Sequence, residues 1–192
     1  MTMTAADLNA LRPALQQRDN KRFLNVGCGS AGPERLPECF QQPEWQQIRL
    51  DINPAVEPDI IANLTDLSAV ETGSIDAVYS SHNIEHLYLH ETVIALKEMH
   101  RVIRPGGFLL ITLPDLQQVA QLVAQGKLSE EIYRSPVGPI TPLDMLYGHQ
   151  ASVAKGNTYM AHKSGFDKHS LSAALLNAGF NEARVTADTH YN

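Results

Sequence analysis

The chain has 192 residues, of which 43% are hydrophobic and 19% charged, so an intrinsically disordered protein is excluded and one globular domain is expected. Its 15 basic and 21 acidic residues give a net charge of −6 at pH 7, which disfavours nucleic acid as a partner, since phosphate backbones are usually bound by a basic face. No stretch approaches the roughly 20 apolar residues of a membrane helix, and the amino terminus has no apolar signal core. We therefore expect a cytoplasmic protein whose cysteines, Cys28 and Cys39, are free thiols.

The first two thirds of the chain predict alternating strands and helices. Leucines at helical spacing predict a helix over residues 5–18. Apolar runs predict buried strands over residues 22–26, 48–52, 59–62, 75–80 and 108–113. An amphipathic helix is predicted over residues 91–103, ended by Arg104-Pro105-Gly106-Gly107. Strands that alternate with helices and are apolar on both faces predict a mostly parallel, doubly wound α/β sheet with helices on both faces.

The last third predicts an elaboration of this sheet. Residues 115–163 contain a predicted helix over residues 116–124, a second over residues 129–133, and the turn-rich segment SPVGPITP. We interpret residues 115–163 as an insertion over one end of the sheet that acts as a substrate lid. A final helix, capped by Asp167 and ended by Gly179, precedes a sixth predicted strand over residues 182–189.

A glycine-rich loop follows the first predicted strand. Gly27-Cys28-Gly29-Ser30-Ala31-Gly32 has the G-x-G-x-x-G spacing of dinucleotide sites, in which glycines let the backbone approach a ligand and present N–H groups to an anion. Asp51, at the end of the next strand, can accept hydrogen bonds from both ribose hydroxyls. The pattern fits a nicotinamide-dependent oxidoreductase or a methyltransferase, and Asp51 alone also fits a simple turn residue.

The segment after the loop separates the two classes of enzyme. A dinucleotide fold continues into a helix whose N-terminus binds the diphosphate, but Pro33, Pro37 and Pro43 make a regular helix improbable here. The loop is therefore better suited to a small carboxylate than to a diphosphate.

Five further segments point to one family. LNVGCG (24–29), LDI (50–52), NLTDL (63–67) with GSIDAVYSSHNIEHL (73–87), MHRVIRPGGFLLITLPD (99–115) and, more weakly, GFDKHSLSAALLNAGF (165–180) occur in this order. Together they resemble the class I S-adenosylmethionine-dependent methyltransferases, of the small type 11 kind. The resemblance implies a single Rossmann-like domain over residues 1–192, S-adenosylmethionine as cofactor and S-adenosylhomocysteine as product.

The same resemblance implies a set of cofactor-binding residues. They are Asn25, Gly27, Cys28, Gly29, Ser30, Asp51, Ile52, Asp66, Leu67, Ser81 and His82. By position, the glycine loop would meet the methionine carboxylate, and Asp51 would bind the ribose. Ile52 and Leu67 would lie beside the adenine, and Asp66 would accept a hydrogen bond from the adenine amino group. Ser81 and His82 would line the methionine end.

The residues at the end of the fourth predicted strand indicate which class of molecule accepts the methyl group. Enzymes of this fold that methylate planar amines and amides carry the motif Asn/Asp-Pro-Pro-Tyr/Phe at this position, and those that methylate cytosine carbon carry a Pro-Cys pair. The sequence here is Ser80-Ser81-His82-Asn83, which matches neither motif. With the acidic net charge, this favours a small-molecule acceptor methylated on oxygen, nitrogen or carboxylate. Methyl transfer needs alignment and sometimes a base, so the lack of a nucleophile does not count against it.

Histidines supply the candidate bases, namely His82, His149 and His162, because an imidazole accepts a proton near pH 7. His82, His86 and His90 have a spacing that would suit a metal site on one helix. A helix that begins only near residue 91 would destroy that alignment, so no metal site is predicted.

Two departures from the family leave an alternative open. The first helix is replaced by the proline-broken loop, and only one strand has room after the last helix. We therefore expect either a truncated chain or a sheet that closes with six strands, without the final antiparallel strand of the family. A non-catalytic cofactor-binding member of the fold therefore stays possible. An exposed sheet edge would also allow the chain to pair with a partner chain as an oligomer.

Overall fold

A five-stranded parallel sheet forms the centre of the computed structural model, which describes residues 20–135 and 137–186. Its strands are β1 (Lys21–Val26), β2 (Trp45–Asp51), β3 (Ile60–Ile61), β4 (Ile75–Ser81) and β5 (Ile103–Thr112). They are arranged in the order β3-β2-β1-β4-β5, and every pair is parallel. This arrangement confirms the predicted Rossmann-like fold class.

The strands match the predicted ones except at their ends. Both β2 and β5 begin earlier than the apolar runs indicate. The segment Arg104–Gly107, predicted to end a helix, does so but also lies inside β5, where the pairing with β4 shifts register between Ile75 and Ala77. The glycines of this segment accommodate the irregularity, because a Cβ on Gly107 would lie 2.5 Å from the main-chain oxygen of Asp76.

Five α-helices accompany the sheet in the described residues: α1 (Leu89–Val102), α2 (Leu116–Ala124), α3 (Pro142–Tyr147), α4 (Gln150–Ala154) and α5 (Lys168–Asn177). The predicted cap of the last helix is confirmed, since Asp167 Oδ1 accepts a hydrogen bond of 2.7 Å from the main-chain N–H of Ser170. Gly179 follows α5 with φ of +110°, a conformation that ends helices at little cost for glycine.

The two faces of the sheet are covered differently. On one face, α1 and α5 pack their apolar side chains against the strands, and Leu24, Leu96 and Leu171 are almost fully buried there. On the other face, the proline-rich segment forms two 3-10 turns, Pro33–Arg35 and Glu38–Phe40. The prediction that these prolines prevent a regular helix is confirmed.

An aromatic cluster replaces a helix on that second face. Phe40 stacks on Phe23 with ring centroids 4.3 Å apart, and it meets Trp45 edge-on at 5.2 Å and Phe108 at 6.0 Å. Flat rings fill the layer above the sheet that a helix would otherwise fill. The helix predicted over residues 5–18 lies outside the described residues.

The insertion contains a short hairpin that the sequence did not predict. The helix predicted over residues 129–133 is wrong: residues 128–130 form turns, and β6 (Tyr133–Ser135) pairs antiparallel with β7 (Gly138–Ile140). Pro139 and Gly138 favour a hairpin over a helix, and Pro142 then begins α3 at a position where its missing N–H costs nothing. The helix predicted over residues 116–124 is confirmed as α2.

The sixth strand is not found in the described residues. Residues 182–186 pass beside the core without joining the sheet, and residues 187–189 of the predicted strand lie outside the described residues. Val185 is buried by packing against the core instead of by strand pairing. In the described part of the chain, β5 is therefore an edge strand. None of the described helices is both long and apolar enough to cross a membrane.

An ion pair ties together the amino ends of three strands. Asp76 is fully buried, and its Oδ1 lies 2.5 Å from Nε of Arg104, whose side chain is one-fifth exposed. The second oxygen, Oδ2, accepts a hydrogen bond of 2.8 Å from the main-chain N–H of Arg22. Since these residues lie on β4, β5 and β1, the pair fixes the strands at the end of the sheet opposite to the carboxyl ends.

We expect Asp76→Ala to lower the free energy of unfolding by about 3–5 kcal/mol, because it leaves a largely buried guanidinium without its partner. The matched control is Glu131→Ala, since the ion pair of Glu131 with Arg134 is exposed and such pairs contribute less than about 1 kcal/mol. Urea denaturation of both variants measures the difference. Equal losses would show that the buried pair contributes nothing special to the fold.

Candidate active site

A cleft opens where the order of the strands reverses. The chain leaves β1 toward β2 on one side and returns to β4 on the other, so a crevice forms at the carboxyl ends of β1 and β4. Val26 is in register with Leu50 and Ser80, which brings the following residues, Gly27, Asp51 and Ser81, side by side. The cleft measures about 690 Å³, within the usual range of small-molecule sites.

Asn83 closes the floor of this crevice. Its Nδ2 donates hydrogen bonds of 2.8 Å to the main-chain oxygen of Val26 and 2.9 Å to that of Ser81, so one amide joins the ends of β1 and β4. Gly27 has φ of +60°, and a Cβ there would lie 1.8 Å from Oδ1 of Asn83. The glycine is therefore required both by its backbone conformation and by the amide that packs on it. Asn83 is not among the site residues predicted from the sequence, although it is the neighbour of His82.

Asp51 holds the glycine loop in place. Its Oδ2 accepts a hydrogen bond of 2.9 Å from the main-chain N–H of Gly29, and its Oδ1 accepts one of 2.9 Å from that of Asn53. Arg49 supports the same loop from behind, since its Nη2 donates to the main-chain oxygen of Gly29 at 2.8 Å. Each carboxylate oxygen of Asp51 has further acceptor capacity, which hydroxyl groups of a ligand in the cleft can use.

Most of the predicted cofactor residues reach the cleft. Its walls include Gly27, Gly29, Ser30, Asp51, Ile52, Ser81 and His82. Asn25 and Cys28 are buried behind the wall, and the main-chain N–H of Cys28 donates to Leu50 at 3.1 Å. Burial raises the pKa of the Cys28 thiol, and both cysteines are free thiols, as predicted.

Two predicted adenine contacts are not brought to the cleft. Leu67 is fully buried in the core, and Asp66 faces solvent, where hydrogen bonds from Ser68 hold the pKa of its carboxyl below the usual range. Asn63 and Leu64, three residues earlier, line the cleft in their place. The quoted motif NLTDL contains both pairs, so the motif identified the loop but not which of its side chains face the cleft.

His82 directly follows the carboxyl end of β4 and has a strained backbone conformation. Its φ is +52°, which is uncommon for a residue other than glycine, and about half of its side chain is exposed to the cleft. Its Nδ1 lies 3.2 Å from Oε1 of Glu85, which is almost fully buried. Burial by itself raises the pKa of Glu85, but the hydrogen bond and charge of His82 and the charge of His86 outweigh it and hold the pKa below its usual value. Glu85 is therefore ionised at neutral pH.

His86 and His162 meet across the cleft wall. Their rings lie 4.8 Å apart, and Nδ1 of His162 is 2.8 Å from the main-chain oxygen of Met145. Burial lowers the pKa of His162, although the charge of Glu85 opposes it, so the imidazole is neutral at pH 7. His90 is exposed and stacks on Tyr88 instead. Because α1 begins only at Leu89, His82, His86 and His90 do not share a helix face. This lack of alignment agrees with the prediction from the sequence.

The insertion supplies the wall opposite the strand ends. Tyr133, Met145, His149 and Tyr159 line the cleft from this side. His149 is mostly buried, and its Nδ1 lies 2.7 Å from Oγ of Ser152. One half of the cleft is thus built from the ends of the sheet, and the other half from a segment rich in polar aromatic side chains.

Comparisons with known proteins agree on the class of this cleft. Residues 24–111 match the family model described as a methyltransferase domain. A demethylmenaquinone methyltransferase of Staphylococcus carnosus is 24% identical over 189 residues, which cover 92% of this chain and 74% of that protein.

Solved structures show the same fold. A SAM-dependent methyltransferase from Methanosarcina mazei aligns with a TM-score of 0.57 at 16% identity, and the alignment covers 93% of this chain and 85% of the Methanosarcina chain. Another from Archaeoglobus fulgidus has a TM-score of 0.53 at 16% identity, with coverage of 96% and 78%.

The matched domain, the parallel sheet and the cleft at its switch point therefore support a class I S-adenosylmethionine-dependent methyltransferase. Its cofactor is S-adenosylmethionine. The cleft fits this group, because open space faces Gly29 where a Cβ would meet nothing within 4 Å, and the carboxylate of Asp51 lies beside it. The oxidoreductase alternative is set aside.

We expect Gly27→Ala to cost about 3 kcal/mol of stability, because its Cβ displaces the Asn83 amide and breaks two hydrogen bonds in addition to the left-handed backbone cost. In an Asn83→Ala background, the same substitution should cost only about 1–2 kcal/mol. Gly29→Ala, with φ of +57° and open space around it, is the control and should cost the same in both backgrounds. Urea unfolding of this double-mutant cycle measures the coupling, and additive costs for Gly27→Ala and Asn83→Ala would contradict it.

Proposed function

We propose that this chain transfers the methyl group of S-adenosylmethionine to a small-molecule acceptor, on a hydroxyl, amine or carboxylate. The observation that carries the proposal is the composite cleft of about 690 Å³, with the strand ends on one side and the insertion on the other. A cleft of this size and with two chemically different halves suits a cofactor and a small acceptor held against each other.

The strand ends are the proposed cofactor half. The N–H groups of the glycine loop suit the methionine carboxylate, and the Asp51 carboxylate suits the ribose hydroxyls. For the adenine we propose Ile52 with Asn63 and Leu64, in place of Asp66 and Leu67, because Asn63 and Leu64 line the cleft. The remaining predicted residues, Ser81 and His82, would face the methionine end. When bound, the cofactor supplies an electrophilic methyl group on a sulfonium.

The insertion is the proposed acceptor half and acts as a lid over residues 115–163. Tyr133 and Tyr159 offer both an apolar ring and a hydroxyl to a bound molecule. Among the candidate bases, His82 is the best placed, since its side chain is half exposed to the cleft. His149 and His162 each have Nδ1 engaged, by Ser152 and by Met145 respectively, and are mostly buried or half-buried.

Charge and similarity favour a small acceptor over a nucleic acid. The net charge of −6 opposes the binding of a phosphate backbone. The relative from Staphylococcus carnosus is named as a methyltransferase of demethylmenaquinone, which is not a nucleic acid. The cytoplasmic location and pairing with a partner chain through the β5 edge stay predictions.

Cofactor affinity tests the proposed cofactor half. We expect Asp51→Ala to weaken S-adenosylhomocysteine binding by about 30-fold, since charge-assisted hydrogen bonds contribute about 2 kcal/mol. Asn63→Ala should weaken binding as well, whereas Asp66→Ala, which changes an exposed carboxylate outside the cleft, should leave it unchanged. Isothermal titration calorimetry of the three variants makes the comparison. Loss of affinity in Asp66→Ala with none in Asn63→Ala would restore the assignment from the sequence.

Methyl transfer itself tests the acceptor class. The chain should move labelled methyl from S-adenosylmethionine into the small-molecule fraction of a cell extract, with Asp51→Ala much slower and Asp66→Ala unchanged. Label recovered only in nucleic acid or protein would contradict a small-molecule acceptor. Binding of S-adenosylhomocysteine without transfer to any fraction would support the non-catalytic alternative.

A further inference from the structure

Three potential metal ligands converge where the turn after β4 meets the insertion. Glu85 and His86 lie on the 3-10 turn Ile84–His86 that follows β4, and His162 lies near the end of the insertion. One ligand atom from each lies within 4.8 Å of the others. His86 and His162 are 76 positions apart in the chain, and only the fold brings them together.

Both imidazoles are oriented by main-chain carbonyls. Nδ1 of His86 lies 3.2 Å from the oxygen of Ala161, and Nδ1 of His162 lies 2.8 Å from that of Met145. A carbonyl only accepts hydrogen bonds, so each Nδ1 carries a proton, and Nε2 is the ring nitrogen left to bind a metal ion. Histidines that bind metals in proteins are commonly held this way, with the nitrogen distal to the metal donating to a carbonyl or carboxylate.

Glu85 supplies an oxygen that lacks a partner. Its side chain is 1% exposed, and Oε1 lies 3.2 Å from Nδ1 of His82. Within residues 20–135 and 137–186, its buried Oε2 has no hydrogen-bond partner. Leaving a carboxylate oxygen buried and unsatisfied is costly, so such an oxygen calls for a bound cation or another group that completes it.

The backbone holds these groups in place. The main-chain oxygen of Glu85 accepts hydrogen bonds of 2.8 Å from the N–H of Lys163 and 3.1 Å from that of Ser164. The turn after β4 is therefore joined directly to the segment that carries His162. The cluster is built across two elements that the main chain locks together.

We propose that Glu85, His86 and His162 bind one divalent transition-metal ion, of which zinc is the type, with an open position that faces the cleft. Two imidazoles and one carboxylate are a donor set that suits zinc and its neighbours, whereas magnesium and calcium prefer oxygen ligands throughout. Three protein ligands with one open position are typical of catalytic zinc sites. Bonds of about 2.0–2.2 Å require the three donor atoms to move together by about 1 Å, which rotation of the side chains can provide.

The role of this ion rests on the proposed function. His86 and His162 line the cleft, so an acceptor molecule can reach the open position. With an ion bound, an acceptor hydroxyl at the open position would have a lowered pKa and would lose its proton to solvent. Its oxygen would then form the bond to the methyl carbon as the carbon–sulfur bond of the cofactor breaks, and the sulfur would retain the electron pair. Acceptors with a hydroxyl group are therefore favoured over amines.

The proposed metal site is tested by measuring metal binding to the tag-free chain, from which bound metal has been removed with a chelator. Titration with zinc followed by calorimetry should give one ion per chain, and cobalt should give the visible absorption of a site with nitrogen ligands. His86→Gln and His162→Gln should each weaken zinc affinity by at least about 100-fold and abolish the cobalt spectrum. His169→Gln changes an exposed histidine on α5 and should bind as the unmodified chain does.

Two results would overturn the site. One is the absence of stoichiometric zinc binding by the unmodified chain, and the other is unchanged affinity in a folded His86→Gln or His162→Gln variant. If one substitution unfolds the chain by circular dichroism, the other decides. Binding of S-adenosylhomocysteine to the stripped chain is measured in parallel, so failure of the metal site and failure of the cofactor site are distinguished.

Discussion

Strand β1 is hydrogen bonded on both sides, to β2 and to β4, and its free carboxyl end is the point on which the whole site depends. Where a strand ends between two parallel neighbours, the last carbonyls lose their ladder partners and need others. The Asn83 amide satisfies the carbonyls of Val26 and Ser81, and Asp51 accepts from the glycine loop beyond them. The cleft therefore exists because the polar groups at this edge are satisfied by side chains that leave space above them.

The two ends of the sheet have different chemistry. At the amino ends, a buried ion pair between Asp76 and Arg104 joins neighbouring strands. At the carboxyl ends, the polar groups are half-buried and several retain unused hydrogen-bonding capacity. Stability and binding are thus assigned to opposite edges, which agrees with the general position of ligand sites in open α/β sheets.

Local patterns predicted most of the fold, because they depend on neighbours in the chain. The apolar runs of β1, β4 and β5, the prolines that exclude a helix after Gly32, and the Asp167 cap were all evident from sequence. Features that depend on tertiary contacts were not. The sequence predicts a helix over residues 129–133, where the chain instead forms turns and enters the hairpin of β6 and β7, and the motif NLTDL does not reveal that Asn63 faces the cleft while Leu67 faces the core. His162 approaches His86 only through the folded insertion, and no spacing rule finds such a pair.

The insertion is closed at its base. Asp115 pairs with Phe166 in a parallel bridge, and the N–H of Leu116 donates to the oxygen of Phe166 at 3.0 Å. The two ends of the insertion therefore leave the core side by side. A segment anchored in this way can change in length or sequence without altering the register of the sheet. Under the proposed function, selection could then change the acceptor wall independently of the cofactor wall, which is a route to related enzymes with different acceptors.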